Sequence, residues 1–360
     1  MRRRLDAVAL CLLAACSAPI FYHGPKSDHF DGRHFFNPDG EQGTGGAQHE
    51  GAAQYLDDAM FHPRNAWPIS VPIARSVPPP RVDGEAMLVT WIGHSTVLIQ
   101  TQGLNILTDP VWAQRASPVQ FAGPRRVRAP GVRFHSLPKI DLVLLSHDHY
   151  DHMDMKVLGK LWRRDRPLIV TGLGNDVRLA AEGINATARD WGQSVPVRPG
   201  MTVILDRVHH WSARGEKDRD ATLWTGFTVT LPGGNLYFAG DTGAGDMRWA
   251  LPVVAQGPVR LALLPIGAIH ANAVVTGNHI GPAEAVTAFE QLHAGYALGV
   301  HWGTFELTNE PIDLPPTLLR QTLAERHIAA DRFRVTEAGE QWSIPPLAAP
   351  APSSASPPQR

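Results

Sequence analysis

A strand expected over residues 140–146, with the apolar core Leu142-Val143-Leu144-Leu145, ends directly on His147-Asp148-His149-Tyr150-Asp151-His152. Such an apolar run suits a strand covered on both faces. On an extended segment the side chains at i, i+2 and i+4 share one side, so His147, His149 and Asp151 can converge. Asp151 and His152 are adjacent and cannot face one point on a regular strand. The chain must therefore turn there, and residues 153–164, with Val157, Leu158, Leu161 and Trp162 at helical spacing, read as a helix starting just after. A lone histidine after a strand is more often structural than a ligand. Three histidines and an aspartate within one hexapeptide reverse those odds. Two pairs of N/O donors in one loop are enough for two neighbouring metals. Imidazole with carboxylate suits zinc, with iron or manganese as alternatives.

Around this loop the chain alternates apolar strands with a few helices. Strands are expected at 88–92, 95–101, 104–108, 167–171, 202–208, 223–231, 236–238, 261–265 and 297–300, with a second helix at 283–292. The 33 Gly and 31 Pro imply many turns, which fits strands and loops better than a mainly helical protein. The pattern suggests packed sheets under helices, an α/β architecture, with a weak division into two halves near residue 210. The domain layout expected is residues 1–16 a signal segment, 17–85 an irregular extension, 86–344 the folded domain that carries the histidine-rich loop, and 345–360 a disordered tail. Aromatics such as Phe30, Phe35, Phe36, Tyr55, Phe61 and Trp67 should pin the extension to the core.

With 33 Lys+Arg against 34 Asp+Glu the formal net charge is -1, which argues against a dedicated nucleic-acid binder. Both cysteines, Cys11 and Cys16, lie near the start, so the rest of the chain can hold neither a disulfide nor a thiolate zinc site. Met1-Arg2-Arg3-Arg4 precedes a short apolar stretch, and Leu13-Ala14-Ala15-Cys16 resembles a bacterial lipoprotein box. That resemblance implies cleavage before Cys16 and its lipidation. The protein would then be peripheral to a membrane in the bacterial cell envelope. Ser17, in place of Asp, points to the outer membrane, facing the periplasm. Without the signal, the protein would be cytoplasmic. The basic stretch Arg115, Arg125, Arg126, Arg128 and Arg133, with Trp112 and Phe121, reads as a solvated loop or as a site for anionic headgroups.

Other segments repeat the theme of an apolar strand followed by a polar residue beside glycine or tryptophan: His209-His210-Trp211, Gly240-Asp241-Thr242-Gly243 and His301-Trp302-Gly303-Thr304, with Gly277-Asn278-His279 before a helix. His147-x-His149-x-Asp151-His152 resembles the signature of the metallo-β-lactamase fold. The wider set, with Trp91-Ile92-Gly93-His94-Ser95-Thr96, Leu107-Thr108-Asp109-Pro110, Leu223-Trp224-Thr225-Gly226-Phe227 and Pro265-Ile266-Gly267-Ala268, is similar to the N-acylphosphatidylethanolamine phospholipase D branch. The resemblance spans about Phe30 to residue 335. It implies a four-layer αβ/βα sandwich with two zinc ions at one edge. His147, His149 and His210 would hold one ion; Asp151, His152 and His301 the other; Asp241 would bridge them. Asp109 would orient a ligand histidine, and His279 would face the substrate phosphate. His209 is read as structural and His270 as exposed. At Ala244 the chain lacks the aromatic residue common in the branch, and residues 268–272 differ from the animal enzymes.

The activity implied is hydrolysis of a phosphodiester in an N-acylphosphatidylethanolamine-like or other lipid-like substrate by a metal-bridging hydroxide. Asp151, Asp241 and His279 are the candidate catalytic residues. Two other readings compete with it. One is a lactone or ester hydrolase related to sugar-phosphate lactonases. The other is a non-catalytic envelope lipoprotein that keeps the fold for binding. The sequence carries no reading of oligomeric state.

Overall fold

The computed structural model describes residues 21–40, 67–215, 217–269 and 277–347. Several expectations fall outside the described residues: the signal segment with Cys11 and Cys16, Tyr55 and Phe61 of the extension, His270 with 271–272, and 348–360 of the tail.

The first sheet holds β1 (Met87–Gly93), β2 (Thr96–Thr101), β3 (Leu104–Thr108), β4 (Leu142–Leu145), β5 (Leu168–Gly172), β6 (Thr187–Arg189) and, from the far end of the chain, β14 (Gln341–Ile344). Their order is β14-β1-β2-β3-β4-β5-β6. The second sheet holds β7 (Ser194–Arg198), β8 (Met201–Asp206), β9 (Gly226–Val229), β10 (Asn235–Phe238), β11 (Val259–Pro265), β12 (Tyr296–Val300) and β13 (Phe333–Arg334), in the order β13-β12-β11-β10-β9-β8-β7. Each sheet is antiparallel along one side, and β3 to β6 and β10 to β13 are parallel along the other. The division between the sheets falls between Arg189 and Ser194, upstream of the residue 210 expected, because β7 and β8 pair with the second half.

Side-chain alternation explains the layering. Leu142 and Leu144 of β4 face the second sheet and share a core with Val203, Phe227 and Leu263. Val143 and Leu145 point the other way and meet Val157, Leu158 and Leu161 of α1 (Met155–Asp165). A strand buried on both faces needs apolar residues at every position, which is what the run supplies. Asp154 starts α1: its side chain accepts from the Lys156 and Val157 amides, both at 3.1 Å. The same carboxylate accepts from the Ala113 amide at 3.0 Å, which ties the loop after β3 to the helix. The remaining helices are α2 (Asn175–Ala180), α3 (Ala250–Ala255), α4 (Pro282–Gln291) and α5 (Leu314–Glu325). α4 opens on a proline at its first position and buries Ala285, Val286, Ala288 and Phe289. Two mixed sheets flanked by helices form the αβ/βα sandwich. Among the described residues no helix is long and apolar enough to cross a membrane.

Residues 21–40 have little regular structure. Tyr22, Phe30 and Phe35 pack on Val208, Leu223 and Trp224. His29 sits 2.7 Å from Asp190 and stacks on Trp191. This strap lies against the loop that follows β8.

Candidate metal centre

The chemistry-bearing side chains come from loops at the C-terminal ends of strands: His94 after β1, Asp109 after β3, residues 147–152 after β4, His210 after β8, Asp241 after β10 and His301 after β12. In α/β sheets this is where ligands bind, because each strand can deliver a loop to one shared crevice. The loop after β4 turns as its composition requires: the His152 and Met153 amides both donate to the His149 carbonyl, at 3.1 and 2.8 Å.

At one end of the cluster His147 Nε2 lies 2.8 Å from His149 Nδ1, which is 3.4 Å from His210 Nε2. These three form one group of donors within 4.8 Å of one another. At the other end Asp151 Oδ2 lies 3.5 Å from both His152 Nε2 and His301 Nε2. Asp241 stands between the ends. Its Oδ2 is 3.0 Å from His301, 3.1 Å from His152 and 3.8 Å from both His210 and His279. His149 and His279 are partly exposed, whereas the other histidines of the cluster are buried.

The supporting contacts are equally local. Asp109, fully buried, takes three hydrogen bonds: from His152 Nδ1 at 2.7 Å, the Ser146 hydroxyl at 2.6 Å and the Ser146 amide at 2.8 Å. That fixes the His152 ring with Nε2 turned into the cluster. His210 Nδ1 is held at 3.0 Å by the Asn278 carbonyl. Asn37 of the strap donates to the His210 carbonyl at 2.9 Å. Gly240, at φ +63, lies where a Cβ would approach the Ser146 side chain to 2.7 Å, so the loop bearing Asp241 presses on the loop bearing His147. The glycine before Asp241 serves this close approach of one loop to the other.

Charges divide along the same line. Burial and the surrounding histidines hold His147 and His210 well below the usual imidazole range, and burial takes His149 to about 3. Burial also disfavours charge on His152 and His301. There the aspartates outweigh it, raising His152 well above its ordinary value and His301 to about 9. Asp151 and Asp241 are held well below the carboxylate range despite burial, chiefly by His152 and, for Asp241, His301. Burial lowers His279 to about 4.

The sequence-derived residues His147, His149, Asp151, His152, His210, Asp241, His279 and His301 all meet in this cluster, with Asp109 behind it. His209 does not: its Nδ1 faces the Asp39 carboxylate at 3.2 Å. The basic stretch divides in a way its composition did not show. Arg126 is buried, donating to the Ala113 and Val111 carbonyls at 2.8 and 2.9 Å, because the loop folds back over it. Arg128 is buried too and donates to the Gly303 carbonyl at 3.1 Å. Neither is part of a solvated run. Sequence reasoning also missed His94, whose Nε2 is 3.0 Å from Asp151 Oδ2. In the sequence it reads as the connector between two strands and as part of the 91–96 family motif, with no ligand role, although its setting after a strand and a glycine repeats the pattern at Asp241.

The donor set fits metal ions. His149 Nε2, Asp241 Oδ1, His279 Nδ1 and His301 Nδ1 are buried without a hydrogen-bond partner, and His152 Nε2 and His301 Nε2 face Asp241 as close ion pairs. Buried polar atoms seldom go unpaired in a native protein, and a cation resolves several of them at once. The fold and this donor set define a metal-dependent hydrolase. The comparisons agree: residues 104–302 match the β-lactamase superfamily domain. The chain is 35% identical over 268 residues to N-acyl-phosphatidylethanolamine-hydrolyzing phospholipase D 1 of Caenorhabditis elegans, covering 71% of this chain and 75% of the relative. It is 29% identical over 267 residues to a metal-dependent hydrolase of Nitratidesulfovibrio vulgaris, covering 71% of this chain and 95% of that one. Among solved structures, an isothiocyanate hydrolase from Delia radicum gut bacteria superposes with a TM-score of 0.56 at 21% identity, covering 71% of this chain and 100% of the other. This chain belongs to the β-lactamase superfamily, among the homologues of the N-acylphosphatidylethanolamine-hydrolysing phospholipases D.

Proposed function

We propose that the protein is a dinuclear zinc phosphodiesterase of phospholipase D type, acting on N-acylphosphatidylethanolamine-like or related phosphodiesters. The observation that carries the two-ion reading is the position of Asp241, whose Oδ2 is within 3.8 Å of histidines from both ends of the cluster. The substrate class rests on the activity named for the nematode relative, over most of both chains.

His147, His149 and His210 would hold one ion, Asp151, His152 and His301 the other, and Asp241 would bridge. When bound, a zinc pair supplies Lewis acidity toward a phosphoryl oxygen and a nucleophile at neutral pH. The protein supplies the rest. Asp109 keeps the proton of His152 on Nδ1, so that Nε2 is free to donate its lone pair. His279 lies at the partly exposed mouth, its side chain 18% accessible, and would hold a phosphate oxygen of an incoming diester. The surrounding loops bury the donors other than His149 and limit bulk water, which strengthens each electrostatic contact. A lipid substrate accords with anchoring through Cys16, which lipid analysis of the purified N-terminus would test.

The test is metal content and hydrolysis by the full chain. Two zinc ions per chain with cleavage of bis-p-nitrophenyl phosphate support the proposal. Asp241→Asn should then lose activity by roughly 1,000-fold, since metal charge stabilisation supplies several kcal/mol and each ~1.4 kcal/mol is one decade. Cleavage of a simple lactone alone would turn the reading to the lactonase. A protein that stays metal-free and inactive after zinc is added would leave only the binding role.

A further inference from the structure

His94 has no part in the ligand scheme above, yet the fold goes to some length to place it. It sits at φ +56, a left-handed conformation that is uncommon for a residue with a side chain. Three hydrogen bonds hold it there. Its amide donates to Thr304 Oγ1 at 2.9 Å, and its carbonyl accepts from Trp91 Nε1 at 2.8 Å and from the His301 amide at 3.2 Å. The pairing of β1 with β2 shifts register just before it, between Trp91 and Gly93. The ring is 1% exposed and packs against His301, with centroids 4.1 Å apart, and edge-on to Phe305. Strain that is over-determined by its surroundings points to a function at that residue.

The ring ends among donors. His94, Asp151, His152 and His301 each offer an atom within 4.8 Å of the others, all four are buried, and the other ring nitrogen, Nδ1, has no partner. Among the described residues the group of His147, His149 and His210 has no such addition. We infer that His94 is a further protein donor to the ion at the Asp151 end. That end then encloses its ion with one protein group more than the three-histidine end, which keeps a position open for substrate. Closed sites hold metal, and sites with an open position do chemistry.

This rests on the proposed metal centre. The experiment is a zinc titration of metal-free full-length protein against a chromophoric chelator, with cobalt spectra recorded alongside. Wild type should show two unequal sites, the tighter one at the Asp151 end. His94→Ala should weaken that site alone by more than the roughly 10- to 100-fold that losing an orienting partner costs. It should also change the cobalt spectrum of that site. His94→Gln can still donate to Asp151 Oδ2 but is a poor ligand, so it should fail equally. It also gives the reading if the alanine variant does not fold. Recovery of affinity in His94→Gln would make His94 an orienter of Asp151 and overturn the inference. Unchanged affinity in both variants would overturn it as well. A wild type that takes up no metal at all would instead remove the metal centre itself, and that result is distinguishable from either.

Discussion

The two ends of the donor cluster solve different electrostatic problems. At the three-histidine end, burial keeps His147, His149 and His210 neutral, with lone pairs and N–H groups in close contact and no carboxylate of their own. At the other end, Asp151 and Asp241 are paired with His152 and His301, so charge is balanced inside the protein. The first end would offer a cation neutral donors, whereas His152 and His301 at the second would have to give up protons now paired with carboxylates. Asp241 is the carboxylate that stands within 3.8 Å of histidines from both ends, which is why Asp241→Asn carries the largest expected effect: loss of activity together with weakened metal binding at both ends. If one site kept its full affinity in that variant, the shared role would be excluded.

A buried carboxylate elsewhere separates the effect of burial from that of histidine neighbours. Asp206, at the end of β8, has no histidine partner among the described residues. It accepts from Thr228 Oγ1 at 2.6 Å and Gln256 Nε2 at 2.7 Å. Burial raises it to about 6, opposed by those two hydrogen bonds, whereas Asp151 and Asp241 move the opposite way. The sign follows from linkage. A carboxyl raised in the folded state binds its proton more tightly than the unfolded chain does, so stability falls as pH rises from about 4 to about 6 and then levels off. About two units correspond to roughly 3 kcal/mol. Asp206→Asn should therefore gain on wild type by up to that amount between pH 4 and pH 7, measured by denaturant unfolding. The absolute offset between the two will also include one lost acceptor, so the pH slope is the quantity to read. A flat difference across that range would mean that Asp206 is solvated and that burial does not dominate there.

Asp109→Asn is the next smaller perturbation and should act mainly at the Asp151 end, with a smaller effect relayed to His147 Nδ1 through the Ser146 hydroxyl, which lies 2.6 Å from Asp109 and 2.9 Å from that ring. It removes the charge that accepts from His152 Nδ1 while keeping a side chain of the same shape. Losses of such supporting partners typically cost about 10- to 100-fold in metal affinity. The loss should fall on the Asp151 end in a zinc titration. An equal loss at the three-histidine end would show that Asp109 supports the fold of the crevice rather than one ring.

How much of this was legible in the sequence follows the same division. The hexapeptide 147–152 is a local signal: one strand, one loop and four donors, all readable from spacing. His210, Asp241 and His301 each follow a strand, and only their resemblance to a family joined them, because nothing local says which strand ends meet. The sheet order that brings them together depends on parallel pairings between distant segments, such as β11 with β12. β14 went unread because a short strand at the end of a chain carries no pattern until it pairs with β1. His94 was hidden by its backbone: a residue in a turn between two strands reads as a connector, and its left-handed conformation, which turns the ring inward, is set by partners such as Thr304 and His301, far away in sequence. The burial of Arg126 was illegible for the same reason, since charge composition describes a residue and not its neighbours.

The smallest effect belongs to the strap, and it reaches the three-histidine end through the residues before His210 and the His210 carbonyl, not through a donor of the cluster. Asp39 lies 2.7 Å from Arg207, 3.2 Å from His209 Nδ1 and accepts from the Asp246 amide at 3.2 Å. It therefore joins the loop that carries His210 to the loop that follows Asp241. Asn37 adds its bond to the His210 carbonyl. None of these groups is a donor in the cluster, so their removal cannot subtract a ligand; it can only let His210 drift. Hydrogen bonds to charged groups contribute about 1.5 to 3 kcal/mol, and only part of that would be felt at a neighbouring ring. Asp39→Ala should accordingly lower zinc affinity at the three-histidine end by roughly three- to tenfold, about 1 kcal/mol, and leave the Asp151 end untouched. Asp39→Asn, which retains the shape and some hydrogen bonds, should fall between that variant and wild type. A uniform loss at both ends, accompanied by a lower melting temperature of the metal-free protein, would show that the strap stabilises the whole sandwich. A loss confined to one end would show that residues 21–40 set the position of a single ligand loop.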